Sequence, residues 1–279
     1  MLSTKKLVQE GVISCTKRLA KLKSELVDEA IDSIKIQVVD VYEYIIRHIK
    51  KWEMLQSNNI TEMYFLQVFH HILGILLRDT NLMPIIGEKT SKVTKAAREL
   101  HGKFLGNHHK LNVYGRKIDL LLSVCDVELC ANEWKATSSD NTLIRQQSKN
   151  IRVNKCLLDD LRKTLEENDM DNDCSLLCMD WNEFNGYMYI IKKTDGITVA
   201  SLVQQLMIPI HLKEVPAFNK TLLCLLHFKE HYSKLADELE HAKLLESRKS
   251  AFNNIVAGLS VAAPDRSPSP TVYLSPKRD

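Results

Sequence analysis

The sequence predicts an α/β chain of the α+β kind, with a mixed central sheet flanked by helices and long helices at its two ends. Three observations predict it. Apolar residues recur at steps of three and four through the first part of the chain, which is the helical period. The middle holds short apolar runs bounded by turn residues, which read as strands. A second helical stretch covers residues 218–250. The order is a helical N-terminus, an α/β core, and a C-terminal helix.

Residues 4–56 read as one long amphipathic helix or two. Leu19, Leu22, Leu26, Ala30, Ile34, Val38, Val41, Ile45 and Ile49 form the stripe, and no Gly or Pro stands between Val12 and Ser57. Packing within the chain is the default for that stripe. A homodimer through the N-terminal helix is the alternative. Ser57-Asn58-Asn59 is a break. Thr61 suits an N-cap, with Glu62 in the first turn of a buried helix that runs to about Arg78. Residues 81–87 read as a second break, and Thr90 to about His101 as a basic helix. Gly87-Glu88-Lys89-Thr90 lacks the paired-glycine spacing of a phosphate-binding loop.

A polar loop comes next, in which His108 and His109 read as surface polarity rather than metal ligands. Two strands succeed it, Gly115-Arg116-Lys117-Ile118-Asp119-Leu120-Leu121-Leu122 and Val127-Glu128-Leu129-Cys130-Ala131-Asn132-Glu133-Trp134-Lys135. A helix spans about Leu143 to Glu167, and residues 169–173 form an acidic loop. Ser175 to Trp181 is an apolar strand. Asn185-Gly186 signals a hairpin turn into Tyr187–Ile191, and Asp195-Gly196 a second turn into Ile197–Ala200. Residues 201–207 read as a short helix. From about residue 262, Ser267, Ser269 and Ser275 each precede a proline, as in a disordered tail. The expected division is a helical extension over 1–56, an α/β core with its C-terminal helix over 57–250, and the Ser/Pro tail over 251–279.

The chain has 279 residues, 44% hydrophobic and 26% charged, with a net charge of +3. That charge permits a nucleic-acid partner without demanding one, so any basic surface must be local. The seven cysteines are scattered with no Cys-x-x-Cys, which excludes a disulfide framework and a zinc ribbon. Reduced, buried cysteines favour an intracellular setting, nucleus or cytoplasm. No apolar run approaches the roughly 18–20 residues needed to span a bilayer, so no membrane partner is expected. The basic residues near the N-terminus read as a solvated helix face rather than a mitochondrial presequence.

The chemistry is concentrated in the two strands at 115–135. Side chains alternate along a strand, so Glu133 and Lys135 share a face. An antiparallel hairpin with a three-residue loop at Cys125-Asp126-Val127 sets Asp119 opposite Glu133 and Lys117 opposite Lys135. A two-residue loop without a bulge would send the two acids to opposite faces. Two acids with Cβ atoms roughly 5 Å apart repel unless a cation lies between them or one takes a proton. Mg²⁺ suits such a pair because it needs only one or two carboxylates and keeps several waters.

Asp, a spacer and Glu-x-Lys, each on a strand, resembles the PD-(D/E)xK nuclease superfamily. The segments Gly-Arg-Lys-Ile-Asp-Leu, Glu-Leu-Cys-Ala-Asn-Glu-Trp-Lys, Gln-Gln-Ser-Lys-Asn-Ile-Arg-Val-Asn and Gly-Tyr-Met-Tyr-Ile-Ile also look like a set of uncharacterised nuclease-like proteins of early-diverging fungi, over about residues 60–235. The resemblance implies a restriction-endonuclease-like sheet and Mg²⁺- or Mn²⁺-dependent phosphodiester hydrolysis of nucleic acid, with DNA expected before RNA. It implies Asp119 and Glu133 as metal ligands and Lys135 as the catalytic lysine. It implies an auxiliary acid on the preceding helix, for which Glu62 is the first choice and Glu88 the second. Ile118 stands where the name-giving proline would.

In that fold the next helix lies beside the site and often supplies a glutamine, here Gln146 or Gln147. Arg145, Lys149 and Arg152 fall on one face of it. With Gln147 they are the expected nucleic-acid-binding residues. Trp134, Trp181, Tyr187 and Tyr189 read as sheet packing rather than base-stacking platforms. The alternatives are a catalytically inactive nuclease-like fold that binds nucleic acid or protein, and a helix-mediated interaction protein.

Overall fold

The computed structural model describes residues 11–26, 28, 30, 33–55, 61–104, 114–136, 140–167 and 174–256. The break at 57–59, His108 and His109, the acidic loop and residues 257–279 of the Ser/Pro tail lie outside the described residues; residues 251–256, expected in that tail, are helical. Among those described, six α-helices, six strands and a short 3-10 turn at Leu212–Glu214 succeed one another. Helices α1 (Val12–Glu25), α2 (Ile34–Leu55) and α3 (Glu62–Leu76) come first. Strand β1 (Met83–Thr90), helix α4 (Lys92–Phe104), and strands β2 (Lys117–Val124) and β3 (Val127–Lys135) come next. Helix α5 (Asp140–Glu166), strands β4 (Ser175–Asn182), β5 (Asn185–Thr194) and β6 (Ile197–Met207), and helix α6 (Val215–Val256) complete the order.

The strands lie in the sheet in chain order, from β1 to β6. Every neighbouring pair is antiparallel except β3 and β4, which run parallel. The parallel step needs a long crossover, and α5 is that crossover. The architecture is therefore α+β, a mostly antiparallel sheet flanked by helices. No described helix is long and apolar enough to cross a membrane.

Most of the N-terminal stripe packs within the chain, although Ala30 and Ile34 are exposed. Val41, Tyr42, Ile45, Ile46, Ile49 and Trp52 are buried, in one cluster with the sheet and α6. Tyr42 meets Phe218 of α6 edge-on at 5.9 Å, and Trp52 meets Phe184 at 5.3 Å. Lys229 of α6 is buried against Asp79 at 2.6 Å and Gln37 of α2 at 2.8 Å. Thr61 occupies the N-cap position of α3, but its side chain makes no capping hydrogen bond.

Three local expectations are corrected. The stretch read as a break at 81–87 contains most of β1, which pairs with β2 from Met83↔Ser123 to Thr90↔Lys117. Residues 201–207 are strand, not helix. They extend β6 along β5 as far as Asn185↔Met207, and ladder pairing outweighs their weak helical character. The β4–β5 turn is Glu183-Phe184 rather than Asn185-Gly186, with Glu183 at φ 56°. Gly186 stands within β5, directly opposite Trp181.

The seam between β3 and β4 lies beneath the acidic residues of the sheet. These strands pair only at Glu133↔Asp180, Trp134↔Trp181 and Lys135↔Asn182. Nearer their starts, side chains replace the ladder. Asn132 Oδ1 accepts the Met179 N–H at 2.8 Å. Asn154 of α5 accepts the Ala131 N–H and donates to the Ala131 carbonyl, both at 2.8 Å. The Tyr232 hydroxyl of α6 donates to the Leu177 carbonyl at 2.8 Å and accepts its N–H at 3.1 Å. Buried backbone groups must find partners, and these three side chains supply them.

Gly186 is required by a close approach. A Cβ there would lie 2.6 Å from the Trp181 ring. Gly186→Ala should therefore destabilise the fold by about 1–3 kcal/mol, the usual cost of overpacking. A lower urea midpoint at unchanged slope is the expected result.

Candidate active site

The hairpin of β2 and β3 decides whether the two acids meet. Its turn has two residues, Cys125 and Asp126, both at positive φ (46° and 66°), and not the three expected. A two-residue turn alone would part the acids. A bulge restores them: the pairing shifts between Leu122↔Cys130 and Ser123↔Glu128, leaving Leu129 as the extra residue. Beyond the bulge Leu120 faces Asn132, and continuing that register sets Asp119 opposite Glu133. β4 then sets Asp180 beside Glu133. Three acids stand in one row on three adjacent strands, and directly paired residues share a face.

Helices bring the remaining groups. α3 begins at Glu62, whose carboxylate accepts a hydrogen bond from Lys135 Nζ at 2.8 Å. From α5, Lys149 Nζ donates to Glu133 Oε2 at 2.8 Å, and Asn150 Nδ2 donates to Asp180 Oδ1 at 2.9 Å. The Trp134 N–H donates to Asp119 Oδ2 at 2.8 Å, fixing that carboxylate against β3. On the opposite face Trp134 packs on Phe69 at 5.0 Å and stacks on Trp181 at 5.8 Å, so both indoles are core, as expected.

The electrostatics come from burial. Glu133 is 2% exposed, and its carboxyl is pushed up from 4.5 to about 8. Desolvation is the main cause and the neighbouring Asp119 charge adds to it, against the opposing pull of Lys149. Asp180 rises to about 6, again chiefly through desolvation, tempered by the hydrogen bond from Asn150. Burial alone would lower the Lys135 ammonium. Glu62, Asp119 and Glu133 outweigh it and hold that pKa above its ordinary value.

Glu133 Oε1 is buried without a hydrogen-bond partner, whereas Asp180 has the Tyr189 hydroxyl and the Gln146 side chain beside it. A buried acceptor left alone is costly and points to a missing proton or cation. Among the described residues no three His, Cys, Asp or Glu side chains converge into a ready-made metal cage. A hard cation that keeps its waters does not need one. The unpartnered oxygen of Glu133 is the feature such an ion would satisfy.

Of the expected site residues, Glu62, Asp119, Glu133, Lys135 and Lys149 come together. Gln146 also joins them, donating to the Trp181 carbonyl at 3.5 Å, whereas Gln147 is exposed. Arg145 is exposed as well. Arg152 is half-buried, with its Nε buried and unpartnered. Glu88 lies in β1, and its side chain is outside the described set. Asp180 is not among the residues expected from the sequence. Its signal is present there nonetheless: an acid inside the apolar run of β4 is out of place unless it has a use. Tyr187, expected to be packed, is 45% exposed.

Comparison with protein-family models, curated proteins and solved structures finds no match to this chain. The site therefore rests on its own geometry.

The raised Glu133 carboxyl has a measurable sign. The folded state holds this proton up to about pH 8, whereas an ordinary glutamate releases it near 4.5. Stability is full below the lower value and falls as pH rises through the window between the two. Asp180 adds to the fall up to about pH 6. Thermal melts should show Glu133→Gln exceeding the parent Tm at pH 8 and matching it near pH 5. Parallel pH profiles for the two proteins would contradict the assignment.

Proposed function

We propose that the chain is a divalent-cation-dependent nuclease of the PD-(D/E)xK type, with a restriction-endonuclease-like sheet, hydrolysing phosphodiester bonds in nucleic acid, DNA in the first instance. We assign it to the nucleus or cytoplasm. One observation carries the reading: Asp119, Glu133 and Lys135 share a face of adjoining strands, with a buried Glu133 oxygen left unpartnered.

In this reading Asp119 and Glu133 hold Mg²⁺ or Mn²⁺. When bound, the ion supplies positive charge for the scissile phosphate and for the attacking water. Lys135 lies at the end of the same strand face, where its ammonium orients the water. Glu62 holds that ammonium in place through the 2.8 Å ion pair. Lys149 is half-buried and paired with Glu133, a place from which its ammonium would also reach the phosphate. Trp134 and Trp181 close the opposite face and keep the sheet rigid beneath the acids.

A second reading has one observation in its favour. One oxygen of each acid already has an internal donor, Lys149 for Glu133 and the Trp134 amide for Asp119. A catalytically inactive relative that binds nucleic acid would keep such closed contacts.

Incubation with single- and double-stranded DNA and RNA, with and without Mg²⁺ or Mn²⁺, separates the two. The nuclease reading expects cleavage that chelation abolishes. It expects Lys135→Ala to slow cleavage by roughly 100-fold or more, the scale of lost acid–base or positioning chemistry. Equal cleavage by parent and variant, or no cleavage by the parent, would sink it. Binding without cleavage would select the second reading.

A further inference from the structure

The cross-strand row holding the acids continues beyond them. Asp180 of β4 faces Tyr187 of β5, and Tyr187 faces Gln205 of β6. Asp119, Glu133, Asp180, Tyr187 and Gln205 therefore occupy one face of five consecutive strands. The burial along this row changes sharply. Glu133 and Asp180 are 2% and 6% exposed, whereas Tyr187 is 45% exposed and Gln205 is also exposed. Leu202 is 62% exposed, and it pairs with Tyr189, one step along the same face. An exposed aromatic ring and an apolar neighbour thus flank a catalytic row, two strand spacings, roughly 10 Å, from Glu133.

The shelf needs an occupant that is flat, apolar on its faces and attached to a phosphate. The exposed Arg145 and the Lys149 of α5 stand on the same side of the sheet. Stacking a base on Tyr187 requires that base to be unpaired, because in a duplex its faces are already stacked. We infer that Tyr187 is a substrate-positioning residue that stacks an unpaired base flanking the scissile phosphate, so that the site takes single-stranded DNA in preference to duplex. The inference rests on the nuclease-like reading of the row and deepens it by naming the form of the substrate.

Fluorescence anisotropy tests it with the full chain in chelator, so that binding is read without cleavage. The probe is a labelled DNA 12-mer, either single-stranded or annealed to its complement. Tyr187→Ala should weaken single-strand binding about 10-fold, within the range for one lost base stack, and leave duplex binding unchanged. Tyr187→Phe should bind as the parent does. Unchanged single-strand affinity in Tyr187→Ala overturns the inference. So does equal loss on both probes, or a parent that fails to bind the single strand. Thermal melts of both variants show whether they are folded. The two readings fail separately. A parent that binds but never cleaves removes the nuclease reading alone, and a cleaving parent with Tyr187→Ala unchanged removes this inference alone.

Discussion

A carboxylate in the interior must have its charge answered, and Glu133 is where this fold meets that constraint. It is almost wholly buried, faces Asp119 across one strand pair and Asp180 across another, and has a single cation on one oxygen. An uncompensated charge there would cost several kcal/mol. The rise of its carboxyl to about 8 follows chiefly from that burial, with the Asp119 charge adding to it. Much of the surrounding geometry maintains this unfavourable placement. The bulge at Leu129 sets the register, Asn150 steadies Asp180, and the Glu62–Lys135 pair closes the end of the strands.

The β3–β4 seam shows how the sheet tolerates that strain. Parallel strands paired over only three residues leave backbone groups exposed to an apolar interior. Asn132, Asn154 and Tyr232 satisfy them from β3, α5 and α6. Buried polar networks of this kind fix one arrangement when every member has a partner. They also couple the site to the helices around it, since α5 carries both Asn154 of the seam and Lys149 of the site. A site held this way sits on strands and helices rather than on loops, which limits its freedom to drift.

Much of this is legible in the sequence, and the exceptions have physical causes. The helical periods of α2 and α5 and the apolar runs of β2 and β4 stand out because each buries a regular stripe. The meeting of Asp119 with Glu133 is expected from the face pattern, but by a three-residue loop. The protein uses a two-residue turn and a bulge, which reach the same parity, and a face pattern cannot distinguish them. β1 escapes a sequence reading because Pro84 and Gly87 read as breakers, although Gly87, at φ 100°, sits where its register shifts. The second half of β6 reads as a short helix because no turn residue or strict alternation marks it as strand. Its pairing with β5 holds it extended, and Leu206 is buried in the core. Asp180 and the inward turn of Gln146 depend on which strand lies next to which, and that is a tertiary fact.

The central claim is that Asp119 and Glu133 are arranged to receive one divalent cation. Calorimetric titration of the full chain with Mn²⁺ tests it most directly. The account predicts a single site in the parent that is lost in Asp119→Ala and in Glu133→Gln while both variants remain folded. Absence of binding in the parent, or equal binding by both variants, would contradict it.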